Sequence, residues 1–502
     1  MNDLTFSGWS GVTILLVYAL LMLGVGVWSY LSDKKSGTNI QETMSGYYLA
    51  GKNLGLVALF FTLYATQYSG NTVVGYAASG YRMGYAWWMS VPYMIIIIGG
   101  YLLFAPRLYA LAKRHEFLTP TDWLEHRFNS KAVSLLATFF MVWGLGNYLL
   151  EQLVAIGQGV QGLTAGTIPY QYAVIFFVIV MVVYEWLGGM KAVAFTDVIQ
   201  GISLLVGLAV MLIGGFVLTG GHFGEVANYI ATNAPEKIAV PPMKVNNQWF
   251  SMLILVGVGA AVYPHAIQRI YSAKSERILK KSLSRMAWMP LVTTGVVFAI
   301  GIISIQIFPG LDKMGSEQLV GLFANKVAGL GGFYYFMMLL LFGGIVAAVI
   351  STADSVLLSL QSMVSQDIYG RYINPGAPDT KKIKVGKIVG LIVIAFLIYI
   401  AWNPPGTLFE IFVLKFEILI QIAPAFMLGL YWKRLSKWPV FIGMLSGGAL
   451  AGIMTWTGHK TIAGWYGGVI GLVLNITICV IGSYLVSMGA EEQIKNQKAT
   501  AL

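Results

Sequence analysis

The chain has 502 residues, 57% of them hydrophobic and 11% charged, with a formal net charge of +11 and one cysteine. This balance excludes an ordinary soluble domain and points to a polytopic membrane protein. Cys479 alone, inside an apolar run, excludes a disulfide framework and a thiol metal site.

The Met1-Asn2-Asp3 start has no basic region and no visible cleavage site follows it, so the first apolar run is expected to stay as a span. Runs of about 20 residues or more, enough to cross ~30 Å of hydrocarbon, number thirteen. They fall at 9–30, 52–79, 84–111, 131–164, 169–188, 193–219, 248–270, 286–308, 332–364, 384–402, 407–432, 438–457 and 463–488. The connections are short, and none could hold a soluble domain. With the N-terminus outside, and charges near span ends counted with the adjoining loops, the inner loops and tail carry 25 Lys and Arg and the outer loops 6, with Lys415 alone deep within a span. That is the positive-inside bias. The basic charge sets orientation, C-terminus inside, and no nucleic-acid partner is expected.

Two spans are interrupted. The second holds the polar insert Ala65-Thr66-Gln67-Tyr68-Ser69-Gly70-Asn71-Thr72, and the seventh holds Gly257 to His265 with Pro264 near its end. Glycine and proline free backbone carbonyls, which are tolerated at membrane depth only where they line a cavity. The two spans are five apart, as the first helices of two five-span repeats would be, and an odd count per repeat makes their topologies opposite. The expected layout is one transporter domain over 1–502: a leading helix and inner loop (1–50), a first repeat (51–220), a second repeat (247–432) and peripheral helices (433–502).

The ninth span contains Gly343 to Ser359, which sets Ser351, Thr352, Asp354, Ser355 and Ser359 in otherwise apolar surroundings. Such groups at membrane depth cost several kcal/mol unless paired. Oxygen clusters of this kind replace the water of a hard cation such as Na⁺. Ala348, Ser351, Thr352 and Ser355 fall at i, i+3, i+4 and i+7, one helix face, with Asp354 beside it. A packing seam of small residues would explain the serines but not the aspartate.

These residues resemble a known family, the sodium:solute symporters. The resemblance runs over nearly the whole chain. It rests on Tyr47 to Lys52, the Ala65–Gly70 break, Gly188-Gly189-Met190-Lys191-Ala192 with Thr196-Asp197, Pro264 to Arg269, and Ala348–Ser355 followed by Asp367-Ile368-Tyr369. It is closest to the bacterial proline, pantothenate and acetate branch. The resemblance implies an all-α membrane fold with the leucine-transporter-like five-plus-five inverted repeat. It also implies a sodium site formed by carbonyls of Ala65, Tyr68 and Ala348 with hydroxyls of Ser351 and Thr352. A second cation or proton site would use Asp197, Asp354 and Ser355; Asp197 also stands where it could cap the sixth span. There are departures from the family pattern. Gln67 replaces an aspartate of the proline transporter, Asp354 replaces a small hydroxyl residue, and Val256 and Ala260 replace aromatic residues, which puts proline in doubt as the substrate.

Substrate is expected beside the breaks, at Gln67, Ser69, Asn71 and Ala260, with Trp143, Asn147 and Gln152 of the fourth span facing them. Glu151 is a second intramembrane carboxylate. Lys415 in the eleventh span can anchor a substrate carboxylate or can pair with Glu151 or Glu417. Glu417, two residues away, lies on a different helix face and is the weaker partner. His265 reads as a packing or capping residue, and Lys52 as a charge at the cytoplasmic mouth.

The expected function is a sodium-driven symporter importing a small organic solute, a monocarboxylate or amino acid, by alternating access. Its partners are that solute, Na⁺ and the lipid bilayer of a bacterial inner or plasma membrane, and it is expected to be a monomer or weak oligomer. Proton coupling through Asp354 or Asp197 is the alternative. An enzyme is disfavoured by five scattered histidines without metal spacing, and a solute-sensing receptor by a tail after Met488 too short for an output domain.

Overall fold

The computed structural model describes residues 8–36, 40–164 and 166–486. Both chain ends, on which the signal-peptide and output-domain expectations fall, lie outside the described residues. What is described is almost entirely helical, with one two-stranded hairpin pairing Thr461–Ile462 with Trp465–Tyr466.

Among the described residues, ten helices are by length and composition able to cross a membrane, eleven if the bent pair Met243–Ala261 and Pro264–Ser272 counts as one. The difference from thirteen has a local cause. Tyr170–Leu218 runs as one 49-residue helix through a single non-helical residue, Gly189, and the stretch Gly70–Arg114 continues without a gap. Leu56–Gln67 is too short to cross alone.

The helices sort by burial. Over their most apolar windows Leu408–Tyr431 is 78% buried, Gly332–Ile373 71% and Lys131–Leu163 61%, against 33% for Ser10–Lys35 and 28% for Asp379–Ala401. The first three carry most of the polar residues singled out above, so the polar groups lie in the interior and not toward lipid. Gly332–Met363 packs on both Tyr170–Leu218 and Lys131–Leu163, and Leu408–Leu419 packs on Lys131–Leu163. Lys437–Trp456 and Gly467–Leu485 pair with each other at the periphery.

Three interruptions shape the interior. Leu56–Gln67 stops at Tyr68 (φ −107°, ψ 84°), and Gly70–Met83 starts after the extended Ser69. Gly70 is required there, because a Cβ would meet Val349 Cγ2 at 2.3 Å. Met243–Ala261 and Pro264–Ser272 meet at a 46° bend, where Pro264 supplies no N–H and starts a new helix at its first position. Gly189, at φ 52°, takes a conformation disfavoured for other residues, and a Cβ there would lie 2.7 Å from the Tyr47 carbonyl.

Candidate functional site

The first break and the 332–363 helix meet through oxygen atoms. Thr352 Oγ1 donates toward the Ala65 carbonyl at 2.9 Å and the Ala348 carbonyl at 3.0 Å, and Ser351 Oγ reaches the same Ala348 oxygen at 3.1 Å. Bonds of a hydroxyl to the carbonyl three or four residues back are ordinary in helices; the contact from Thr352 across to Ala65 is not. Ala65, Ala348, Ser351 and Thr352 are thus gathered at one place, all nearly or fully buried. Tyr68 is buried beside them; its N–H caps the helix end on Tyr64 O, and its hydroxyl has no partner among the described residues.

Gln152 clamps the break from the facing helix: its Oε1 accepts from Gly70 N–H at 3.1 Å. One turn earlier, Tyr148 Oη donates to the Thr66 carbonyl at 3.4 Å. Ser69 is buried at the start of the second half of the break. Gln67 points toward Met94, Nε2 to Sδ at 3.9 Å, and shares a narrow crevice with Thr66 and Tyr101. Asn71 is buried, with neither amide atom hydrogen-bonded among the described residues.

Trp143 and Asn147 are a correction. Trp143 is 45% exposed on the outer surface, and Asn147 donates back to the Trp143 carbonyl at 2.9 Å. They sit on the side of the 131–163 helix away from the break. The inward side is Tyr148, Glu151, Gln152 and Ala155, whose mean direction is turned about 110° around the helix from that of Trp143 and Asn147 at roughly 100° per residue.

Lys415 and Glu151 form a fully buried ion pair. The ammonium also lies 3.5 Å from the centroid of the Tyr148 ring, 4.7 Å from Phe412, 5.1 Å from Phe416 and 5.6 Å from Tyr263, a cation–π cage. Glu151 Oε1 makes no hydrogen bond among the described residues, and Asn71 faces that carboxylate. Glu417 points elsewhere and accepts from Gly468 N–H. His265 is packed between Tyr263 and Tyr148, ring centroids 4.7 and 5.3 Å away. The Ala260 carbonyl accepts from Tyr101 Oη at 2.9 Å. The aromatic cage was not legible in the sequence: Tyr148 and Tyr263 lie 115 positions apart, and only packing brings them together.

The second expected site is rearranged. Arg269, treated as a loop charge in the orientation count, is fully buried. It donates to Ser355 Oγ, to Thr62 Oγ1 at 3.3 Å and to the His265 carbonyl at 3.1 Å, and its charge acts on Asp197. A fixed cation therefore already stands by Asp197 and Ser355. Asp354 has no such partner, and none of the four Asp197 and Asp354 oxygens is hydrogen-bonded among the described residues. Both carboxylates act on Tyr18 of the first helix, which accepts from Gln200. The leading helix thus reaches the interior through Tyr18, which is buried.

At one end, Arg371 pairs with Asp122 and lies 3.7 Å from Asp367, whose Oδ1 accepts from Thr119 Oγ1 at 2.7 Å. Lys52 is close by in the chain's short connecting segments, and burial lowers its ammonium pKa while Glu116 and Asp122 pull it back up.

A discontinuous-helix interior lined with buried hydroxyls and carbonyls, in a chain of membrane-crossing helices, defines a multi-pass secondary transporter of small solutes and not an enzyme. The chain belongs to the sodium:solute symporter family, whose model matches residues 47–447. Among its relatives, the "uncharacterized symporter YodF" of Bacillus subtilis is 24% identical over 94% of this chain and 93% of that protein. The sodium/glucose cotransporter of Vibrio parahaemolyticus is 28% identical over 87% and 83%. The sodium/pantothenate symporter of Escherichia coli is 23% identical over 93% and 95%. Of solved structures, a Na⁺-coupled sialic acid symporter in a substrate-bound outward-open state superposes with a TM-score of 0.78 at 20% identity, covering 95% of this chain and 98% of that one. MhsT in complex with L-phenylalanine does so at 0.53 and 13% identity, over 86% and 98%. These likenesses give the fold, and family membership gives sodium-coupled solute transport.

Proposed function

We propose that the chain imports a small organic solute bearing a carboxylate, a monocarboxylate or an amino acid, together with Na⁺. The observation that carries the ion site is the Thr352 hydroxyl lying against both the Ala65 carbonyl, freed by the break, and the Ala348 carbonyl. With Ser351 Oγ and the Tyr68 carbonyl added, the donor set is neutral oxygen, which suits a hard cation carried as cargo and released again. The solute would lie beside it, among Gln67, Ser69, Asn71, Gln152 and Ala260. The Lys415–Glu151 pair would open to offer its ammonium to the solute carboxylate.

The proposed organisation has thirteen spans, reached from eleven by dividing Tyr170–Leu218 at Gly189 and by counting the broken pair around Ser69 as a span of its own. Residues 51–220 and 247–432 would be inverted repeats, 1–50 the leading segment and 433–502 peripheral. The proposed setting is a cell membrane with the N-terminus outside, the protein acting as a monomer or weak oligomer. Two halves rocking about the breaks would expose the site alternately to each face.

One observation favours a second reading, proton coupling. Asp354 is buried without an ion pair or hydrogen bond among the described residues, so its charge requires a second cation or a proton. Uptake of labelled carboxylates and amino acids into proteoliposomes decides between them. An inward Na⁺ gradient should drive accumulation that K⁺ alone does not. Accumulation driven by a pH gradient without sodium would transfer the coupling to Asp354.

A further inference from the structure

Away from the breaks, a cavity of about 380 Å³ opens between the Leu408–Leu419 helix and the hairpin joining the two peripheral helices. That is within the ~300–1,000 Å³ usual for small-molecule sites. Glu410 and Glu417 line it seven residues apart, two turns on one helix face, about 10 Å along the axis. Their surroundings differ. Glu410 lies at the rim, with Lys313 at 3.3 Å and Lys460 at 3.7 Å. Glu417 forms the floor, 3% exposed, with no ion pair among the described residues. Its one side-chain hydrogen bond is from Gly468 N–H to Oε2, at the start of the Gly467–Leu485 helix. That cap and helix dipole account for one oxygen. No described donor reaches the other, Oε1, in the cavity wall. Between floor and rim the lining is apolar and aromatic, with Phe409, Leu414 and Tyr466.

We propose that this cavity is a second small-molecule site, separate from the one beside the breaks, and that it takes an organic cation. An ammonium group sits on Glu417, and an aryl or branched aliphatic body lies between Phe409, Leu414 and Tyr466. The aromatic rings add cation–π attraction; both rim lysines lie against Glu410, and Glu417 on the floor has no ion-pair partner among the described residues. The helix that forms this wall also carries Lys415, Phe412 and Phe416, so an occupant here bears on the same helix as the central cage without entering it.

The test uses the full chain purified in detergent, with 2-phenylethylammonium as probe and 2-phenylethanol as its neutral counterpart, by titration calorimetry. Saturable binding of the cation is expected, with the alcohol at least tenfold weaker. Glu417→Gln keeps an acceptor for Gly468 N–H and should weaken the cation at least tenfold while the thermal midpoint stays within a few degrees. Leu414→Trp, which fills the cavity and leaves Glu417 in place, should abolish binding and supplies the test if Glu417→Gln does not fold. Ser351→Ala with Thr352→Ala should leave the probe affinity unchanged. No saturable binding, equal affinity for the alcohol, or full affinity in both cavity variants overturns the proposal. So does loss of binding in the Ser351/Thr352 variant, which would move the probe to the central site.

Discussion

At the scale of single residues, the decisive contrast is between hydroxyls with partners and carboxylates without them. Thr352 and Ser351 satisfy their hydroxyls on carbonyls, so removing them creates no buried orphan donor. The double change Ser351→Ala and Thr352→Ala should leave folding and expression intact. It should lower the sodium affinity of uptake roughly tenfold, about 1.4 kcal/mol; an unchanged sodium half-saturation would refute the site. Lys415 behaves in the opposite way. Lys415→Met leaves Glu151 charged and buried and should cost about 3–5 kcal/mol of stability, read as a fall in thermal midpoint. Adding Glu151→Gln should recover most of that loss. If the pair serves the solute carboxylate, the doubly changed protein is stable yet transports nothing. Transport at the original rate would reduce the pair to a structural role.

At the scale of elements, the helix interruptions were largely legible. The polar insert around Gly70 and the Pro264 step announced breaks, because helix propensity and missing N–H groups act locally. Their positions came out within the expected stretches, at Tyr68–Ser69 and Val262–Tyr263. The run through Gly189 was less legible, since one residue at φ 52° turns the chain without a loop. Gly189→Ala should cost about 1–3 kcal/mol from backbone strain, and the contact with the Tyr47 carbonyl adds to it; an unchanged thermal midpoint would contradict this. Arg371 ties Asp367, at the end of one long helix, to Asp122 of the short helix Pro120–Phe128. Arg371→Gln sets two carboxylates against each other there. A cysteine placed at Thr119 should then be labelled several-fold faster by a water-soluble maleimide, and an unchanged rate would mean this end is held by other contacts.

At the scale of the whole molecule, coupling is a property of two sites sharing one conformational equilibrium. If Na⁺ at the first break and solute beside it favour the same state, each raises the other's affinity by an equal factor. Binding of the transported solute, measured calorimetrically at low and high sodium, should tighten by the same ratio by which sodium binding tightens with solute. Unequal ratios would mean that one of the two measurements reports another site.

The sequence by itself determined what depends on composition and on short-range spacing. Membrane residence follows from apolar runs longer than the bilayer, and the shared face of Ala348, Ser351 and Thr352 from the 3.6-residue helical period. The ends of helices follow from glycine and proline. Tertiary structure alone decided which of those faces look inward and which groups meet. Trp143 turned outward while Tyr148 turned inward on one helix. Lys415 took Glu151 rather than Glu417, and Arg269 left the loops to occupy the interior beside Asp197 and Ser355. Helical spacing limits a residue to a face, but a buried charge goes to whichever opposite charge the packed helices bring within reach. That choice is made by contacts between residues distant in the chain, 86 positions for Arg269 and Ser355 and 264 for Lys415 and Glu151.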